Sequence, residues 1–365
     1  MRILHTESSL GWGGQEIRVL TEARGVARLG HEVLLASPAE ARIHSEALRF
    51  DVKAVALPIA RKGLRGILAL RRFIAGGNFD VINTHSSTDM WLTAIACLGL
   101  RSAPPVVRTR HISAPLPHNR ATRWLYTRAA SRIVTTGERL REQVIRETGI
   151  DAGRVVSIPT GIDLARYIPG DRAAARRSLG LPVAAPIVGI VATLRSWKGH
   201  RFLLQAIAAM SRKDVLLLVV GDGPQRAALE ALATKLDLAQ RVRFAGNQAD
   251  VVPWMQAVDI FCLPSYANEG VPQALMQAMA CGLPVVTTPV GSIGEIVADG
   301  ETGVLVPAES VERLRDAVAA LLEDAGRRDA LGGRALAAAR ERFGEARMVE
   351  RMVALFGEAT RERHG

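Results

Sequence analysis

The sequence predicts an α/β protein of two domains, each built on a parallel β-sheet with helices on both faces. Short β-branched runs alternate with longer amphipathic stretches along the chain, the pattern of repeated strand-helix-strand units. Gly and Pro residues interrupt this series between Pro159 and Pro182. A length of 365 residues suits two domains that each bury a core of their own.

The first half of the chain predicts one doubly wound, Rossmann-like domain over residues 1–168. Strands are expected near 2–6, 32–36, 52–56, 80–83, 105–109 and 132–135. Helices are expected near 15–29, 63–75, 88–99, 119–130 and 138–147, because their apolar residues recur at helical spacing.

The second half repeats the pattern and predicts a second Rossmann-like domain over residues 169–345, which opens on a helix that Gly180 ends. Strands are expected near 186–192, 215–220, 241–245, 258–263, 284–288 and 303–306. Helices are expected near 171–179, 200–211, 225–235 and 272–281, followed by a helical tail over 309–361. We expect residues 346–365 to form a helix that packs back on the first domain.

Positive charge is concentrated in the first half of the chain. Residues 1–180 contain 27 Lys and Arg and 15 Asp and Glu, a net charge of +12, whereas residues 181–365 contain 20 and 21, a net charge of −1. Such a field attracts anions: nucleic acid, an anionic membrane surface, or a phosphorylated or acidic acceptor. With only 4% aromatic residues to stack on bases, we expect no nucleic-acid partner. Solvated charge on helix faces is the alternative explanation.

We expect no segment that directs this chain across or into a membrane. No apolar stretch reaches the roughly 20 residues of a spanning helix, and the first residues lack the apolar core of a signal peptide. Cys97, Cys262 and Cys281 lie in apolar runs, as small buried residues do in a reducing compartment. We therefore expect a cytoplasmic protein without disulfides or a zinc site.

Three segments that follow predicted strands are candidates for phosphate binding, because open parallel sheets bind ligands beyond the carboxyl ends of their strands. The first contains Gly13 and Gly14, ahead of the helix at 15–29. It lacks the Gly-x-Gly-x-x-Gly spacing and the Gly-Lys-Ser/Thr ending, which argues against an NAD enzyme and a P-loop ATPase. A purely structural turn is the alternative.

The second segment contains Arg195 and Lys198, which stand between a strand and a helix and could neutralise a diphosphate. A solvated basic pair is the alternative. In the third, Glu269 precedes a helix that has Pro272 in its first turn and Gly282 as its cap. Free amides there can bind phosphate or sugar oxygens, and the carboxylate can bind sugar hydroxyls, although Glu269 could instead only complement the helix dipole.

The third segment resembles the donor-binding region of glycosyltransferase family four, also called group 1. The resemblance runs from Glu269 through Met279-Ala280-Cys281-Gly282-Leu283-Pro284 to Val306, and continues upstream through 219–224, 242–247, Lys198-Gly199 and Gly13-Gly14. It implies a retaining enzyme of the GT-B architecture, with two Rossmann-like domains that face each other across a cleft. It also implies a bacterial surface-glycan role in lipopolysaccharide, O-antigen or capsule synthesis.

The resemblance also assigns roles to single residues. His111, Lys198, Arg195 and Glu269 would carry catalysis: His111 and Glu269 at the transferred sugar, Arg195 and Lys198 at the diphosphate. Without the resemblance, a lone histidine after a strand, such as His111, is more often a structural residue. The residues implied in donor binding are Gly13, Gly14, Gly221, Asn247, Gly270, Val271, Pro272, Gln273 and Gln277.

Two positions depart from the family pattern. Gln277 occupies the place of the second glutamate of the E-x7-E motif, which binds the ribose hydroxyls in the family; an amide oxygen accepts the same bond without its charge. Thr193 occupies the place of the usual phosphate-binding arginine, which makes Arg195 a shifted substitute.

The function expected from the resemblance is transfer of a sugar from a nucleotide-diphosphate sugar to a glycan or lipid-linked, anionic acceptor at the inner-membrane surface. The donor phosphate would take the acceptor's proton. We expect no cofactor and no metal, since no Asp-x-Asp pair is present. A nucleotide-sugar 2-epimerase of similar fold is one alternative. A catalytically silent nucleotide-sugar binder is another alternative. Gln277 favours it, whereas the presence of Glu269, Lys198 and His111 argues against it.

Overall fold

The computed structural model describes residues 1–364 and consists of two compact α/β units. Unit 1 is Met1–Gly161 together with the segment from Glu345 onward, and unit 2 is Ile162–Gly344. The sequence predicts that the N-terminal domain ends at residue 168, whereas the N-terminal segment of unit 1 ends at Gly161. Each unit contains one parallel sheet flanked by helices, which confirms the predicted fold class of two Rossmann-like domains.

The sheet of unit 1 has seven parallel strands in the order β3-β2-β1-β4-β5-β6-β7. They are β1 Arg2–Thr6, β2 Glu32–Ser37, β3 Lys53–Ala56, β4 Val81–Thr84, β5 Val106–Arg110, β6 Arg132–Thr135 and β7 Val155–Ser157. Strand β7 was not predicted, because three residues are too few to show an alternating pattern.

Six helices connect the strands of unit 1. They are α1 Gly14–Arg28, α2 Arg42–Glu46, α3 Leu64–Gly77, α4 Ser87–Cys97, α5 Arg120–Trp124 and α6 Glu138–Thr148. The single helix predicted over 119–130 is α5 followed by a wider π-helical turn, Leu125–Ala129. Apolar side chains from both faces of the sheet are buried against these helices.

The sheet of unit 2 has six parallel strands in the order β10-β9-β8-β11-β12-β13. They are β8 Ile187–Val191, β9 Leu216–Val220, β10 Val242–Gly246, β11 Ile260–Leu263, β12 Val285–Thr287 and β13 Val304–Leu305. Strands β8, β11 and β12 are almost fully buried, as apolar strands covered on both faces are.

Seven helices belong to unit 2. They are α7 Arg172–Ser178, α8 His200–Ala208, α9 Arg226–Lys235, α10 Val252–Gln256, α11 Gln273–Ala280, α12 Val311–Glu323 and α13 Ala325–Arg342. The tail predicted as continuously helical is broken at Asp324, whose carboxylate caps α13 by accepting a hydrogen bond from the Arg327 amide. An Asp at this position ends one helix and starts the next.

The last helix, α14 Glu345–His364, belongs to unit 1 and packs along α1. The two helices approach closely because Gly25 of α1 has no Cβ: a Cβ there would lie 2.4 Å from Val349 Cγ2. Arg24 and Glu345 form an ion pair of 3.0 Å beside this contact, and Phe356 is fully buried under the sheet. Within residues 1–364, no helix has both the length and the apolar character that crossing a membrane requires.

Candidate active site

Each sheet has one place where the strand order reverses, between β1 and β4 in unit 1 and between β8 and β11 in unit 2. Crossovers on the two sides of this place lead to opposite faces of the sheet, so a crevice opens at the carboxyl ends of the strands. Open α/β sheets bind ligands in this crevice. The candidate residues lie at these two edges, one set in each unit.

In unit 2 the centre of the site is an ion pair between Lys198 and Glu269. Lys198 Nζ lies 2.6 Å from Glu269 Oε1, and the Ser265 hydroxyl donates to the same oxygen at 2.6 Å. Glu269 is only 4% exposed, so its carboxylate depends on these two donors. The Tyr266 amide donates to the Trp197 carbonyl at 2.9 Å, which ties the loop after β8 to the loop after β11.

Two glycines allow the backbone to pack tightly around this pair. Gly199 has φ +76°, and a Cβ there would lie 1.9 Å from the Pro264 carbonyl oxygen. Gly291 has φ +59°, and a Cβ there would lie 2.0 Å from the Glu269 carbonyl oxygen. Any side chain at either position would therefore strain the backbone and push the loops apart.

Helix α11 begins at Gln273, four residues after Glu269. Pro272 is the residue before its first turn rather than a member of it, a small correction to the sequence-based placement. Gly270, Val271 and Pro272 are buried, Gln273 is half-buried, and Gln277 is buried one helical turn further on. The structure thus brings the predicted donor-binding residues of this segment to one end of one helix.

The remaining predicted residues of unit 2 are less closely assembled. Arg195 is exposed, and its guanidinium carbon lies over the ring of Trp197, 5.8 Å from the ring centroid. This places the guanidinium on Trp197 and not on the Lys198–Glu269 pair. The Gly221 amide, in the loop after β9, donates to the carbonyl of Gly246, the last residue of β10, at 2.8 Å. Asn247, the next residue, is exposed.

In unit 1 the site contains a row of three buried histidines. His111 directly follows β5, and its Nε2 lies 3.1 Å from His85 Nδ1; His85 Nε2 in turn lies 2.9 Å from His5 Nδ1. Burial lowers the pKa of His5 to about 3 and holds the pKa values of His85 and His111 well below the ordinary range. The guanidinium groups of Arg18 and Arg108 lower the last two pKa values further. All three imidazoles are therefore neutral at physiological pH.

Gly13 and Gly14 form the start of α1, next to a buried carboxyl group. Glu7 accepts hydrogen bonds from the Ser9 amide at 2.8 Å and from the Gln15 side chain at 2.5 Å. Burial, reinforced by the charges of Asp89 and Glu16, raises the pKa of Glu7 to about 8. Since Glu7 is then protonated near neutral pH, it does not repel an anion bound at this helix start.

The unit 1 site also contains Asp89, in the first turn of α4. Its carboxylate accepts hydrogen bonds from the Thr6 hydroxyl at 2.8 Å and the His85 amide at 2.9 Å. Together with Ser86, Asp89 forms a capping box that fixes the start of α4. The segment that carries His85 is therefore held at both its backbone and its ring.

One group of side chains in unit 1 offers ligand atoms suited to a metal ion. Nitrogen and oxygen atoms of His5, Glu22 and His85 lie within 4.8 Å of one another. Arg18 Nε, however, lies 3.6 Å from Glu22 Oε2, and a guanidinium at that distance disfavours a cation. We assign these side chains to the buried hydrogen-bonded network; that the protein needs no metal stays a prediction.

Sequence reasoning did not single out His5, His85, Asp89 or Ser265. His85 follows β4 as His111 follows β5, so its position after a strand was the available signal. Ser265 follows β11 four residues before Glu269 in the same way.

Comparison with known proteins identifies the family of this chain. The family described as "Glycosyl transferases group 1" matches residues 185–324, and "Glycosyltransferase Family 4" matches residues 12–166. The D-inositol 3-phosphate glycosyltransferase of Nocardia farcinica is 33% identical over 317 residues, 79% of this chain and 68% of that protein. The enzyme of the same name from Xylanimonas cellulosilytica is 30% identical and covers 96% of this chain and 93% of its own length.

A solved structure shares the fold over almost the whole chain. It is that of Anabaena HepE in complex with UDP, with a TM-score of 0.87 and 24% identity over 98% of this chain and 100% of that one. The two parallel-sheet units and the sequence matches lead to one conclusion. The chain belongs to the group 1, or family four, glycosyltransferases.

Proposed function

We propose that this glycosyltransferase moves a sugar from a nucleoside diphosphate sugar to a phosphorylated acceptor, with retention of anomeric configuration and without a metal ion. The observation that carries the proposal is the Lys198–Glu269 pair at the strand-order reversal of unit 2. It presents a cation suited to a diphosphate and a carboxylate suited to sugar hydroxyls at one place.

The donor would lie along the segment around α11. Lys198 would stabilise the charge that grows on the diphosphate as the glycosidic bond breaks, Glu269 and the amides ahead of α11 would hold the sugar, and Gln277 would meet the ribose. HepE, which shares the fold, was solved with UDP, so UDP sugars are the first donors to test.

His111 would contact the transferred sugar as a neutral group. Its lowered pKa means that it acts through a hydrogen bond and not as a cation. The proton of the acceptor hydroxyl would pass to the donor phosphate oxygen on the same face, so no side chain has to serve as a strong base.

The acceptor would be anionic. Arg120, Arg123 and Arg128 are all exposed on the segment formed by α5 and the π-helical turn, in the half of the chain that carries the positive charge. The names of the two relatives specify a phosphorylated acceptor, inositol 3-phosphate. Lipid-linked intermediates of lipopolysaccharide, O-antigen or capsule are anionic as well, and peripheral binding to the cytoplasmic face of the membrane fits the same charge.

A release assay tests the proposal. Thermal shift selects the nucleotide sugars that bind, and each is incubated with inositol 3-phosphate, with a diphosphate-lipid acceptor and with no acceptor. We expect nucleoside diphosphate release that needs one of the acceptors and is lost in Lys198→Ala. Release of a free epimer without acceptor would instead identify an epimerase, and binding without any release a silent binder.

A further inference from the structure

The three buried histidines of unit 1 come from three adjacent strands. His5 lies on β1, while His85 and His111 directly follow β4 and β5. The rings of His5 and His85 are nearly coplanar, with an interplanar angle of 7° and a distance of 5.2 Å between their centroids. The rings of His85 and His111 have an interplanar angle of 31° and a centroid distance of 5.4 Å. With nitrogen–nitrogen distances of 2.9 and 3.1 Å, the rings therefore meet edge to edge in a hydrogen-bonded row.

A row of neutral imidazoles couples the positions of its protons. A neutral imidazole has one N–H donor and one acceptor nitrogen. His85 uses both ring nitrogens within the row, so it donates to one neighbour and accepts from the other. The tautomer of His85 decides whether Nε2 of His111 donates or accepts the hydrogen bond between them. Nδ1 of His111, the nitrogen that is left to bond a ligand, then takes the opposite role.

The surroundings keep this row buried and neutral. The charged side chains around the row are Arg18 and Glu22 of α1, Arg108 of β5 and Asp89 of α4. The ring of Phe356 packs edge-on against that of His5, with 6.2 Å between the two ring centroids. A positive charge on His85 or His111 would be repelled by the guanidinium groups of Arg18 and Arg108. At the far end, His5 Nε2 is buried and has no hydrogen-bond partner among the described residues. The row thus ends inside the protein at His5, and His111, which is 9% exposed, is its other end.

We propose that His85, held in place by His5, is a positioning residue that selects the tautomer in which His111 meets the substrate. The assignment rests on the proposed function in one respect, that His111 contacts the transferred sugar. A simple packing role for His85 would require its shape but not its two hydrogen bonds, and this difference can be measured.

The test combines nitrogen NMR with kinetics on three variants of the full chain. His85→Phe keeps a ring without hydrogen bonds, His85→Gln keeps one donor and one acceptor, and His44→Phe is the matched control, since His44 in unit 1 bonds only to Ser37 among the contacts described. With ¹⁵N-labelled histidine, the nitrogen shifts of His111, identified by their loss in His111→Asn, report which nitrogen carries the proton.

We expect one His111 tautomer in the wild type and in His44→Phe, and a mixture of both in His85→Phe. In the transfer assay, kcat of His85→Phe should fall roughly ten- to a hundredfold while KM for the donor changes little, and His85→Gln should recover part of the loss. An unchanged His111 tautomer in His85→Phe would overturn the proposal.

Two further measurements distinguish a failure of this proposal from misfolding of the variant and from failure of the proposed function. If His85→Phe does not fold, His5→Phe removes the support of His85 from the far end and should give the same mixture of tautomers; an unchanged tautomer there counts against the proposal. If the wild type transfers no sugar, the proposed function fails, whereas the NMR measurement still decides the role of His85.

Discussion

Lys198 Nζ and Glu269 Oε1 lie 2.6 Å apart although 71 residues separate them in the sequence. Strands β8 and β11 are neighbours in the sheet, and the loops at their carboxyl ends meet where the strand order reverses. The pair is partly enclosed: the Lys198 side chain is 20% exposed and that of Glu269 is 5% exposed. In this setting a charge pair is stronger than it would be in water.

Removal of either partner should abolish most of the activity. We expect Lys198→Ala and Glu269→Ala each to lower kcat/KM by about 100- to 1,000-fold, the effect of losing one transition-state contact. Glu269→Ala should leave the melting temperature nearly unchanged, whereas Lys198→Ala should lower it, because the buried carboxylate loses its cation. Lys235→Ala, an exposed lysine of the same unit, is the control. Near-wild-type rates in either site variant would refute the assignment.

A second prediction concerns the ribose. Gln277→Glu restores the family's residue at a buried position of α11 and should tighten binding of UDP, since a carboxylate accepts a stronger bond from the ribose hydroxyls. Calorimetry with UDP measures the gain, and the same titration with 2′,3′-dideoxy-UDP should show none. Equal or weaker UDP binding would mean that the pocket is built around the amide.

The third prediction is a pH dependence of stability that arises from Glu7. Its pKa is raised from 4.5 to about 8, so the folded state keeps a proton that the unfolded chain releases, and stability falls as pH rises between these values. The lowered pKa values of the buried histidines give the opposite slope, which fades as pH rises above 6.5 and the unfolded histidines lose their protons. Glu22, whose pKa is raised to about 7, adds to the fall in stability. A variant without the Glu7 carboxyl group therefore isolates the contribution of Glu7, because all the other groups are common to both proteins.

The midpoint of urea unfolding, measured at a series of pH values, reports how the stability depends on pH. We expect the midpoint of Glu7→Gln to rise relative to that of the wild type between pH 6.5 and 8, while Glu40→Gln, an exposed control in unit 1, should behave like the wild type. Parallel curves for Glu7→Gln and the wild type would show that Glu7 ionises normally.

The fourth prediction is that the protein binds anionic but not neutral vesicles. Each basic residue near an anionic leaflet contributes about 1 kcal/mol, so the exposed Arg120, Arg123 and Arg128 should give reversible binding. Replacement of the three by Gln, or salt of ~0.5 M, where the Debye length is roughly 4 Å, should abolish it. Equal co-sedimentation with neutral vesicles would contradict the electrostatic explanation. No binding to either kind would leave an acidic acceptor as the reason for the charge.

The local features of this protein could be predicted from its sequence, and the contacts between distant segments could not. Periodicity located twelve of the strands, and the loop residues Lys198 and Glu269 stand where ligand-binding residues are expected after strands. The bond between them depends on which strands are neighbours, which no local pattern reveals. The same limit applies to the histidine row, whose members lie 80 and 26 residues apart. Arg195 lies on Trp197 because of a side-chain orientation that spacing does not determine.

The central claim is retaining transfer of a sugar from a nucleotide donor to a phosphorylated acceptor. The most direct test is proton NMR of the reaction of a UDP sugar of known anomeric configuration with inositol 3-phosphate, followed from the first turnovers in the presence of a metal chelator. We predict a new glycoside signal with the anomeric coupling of the donor, formed at the rate of UDP release and absent with Lys198→Ala. A product of opposite configuration, or free sugar as the only product, would contradict the account.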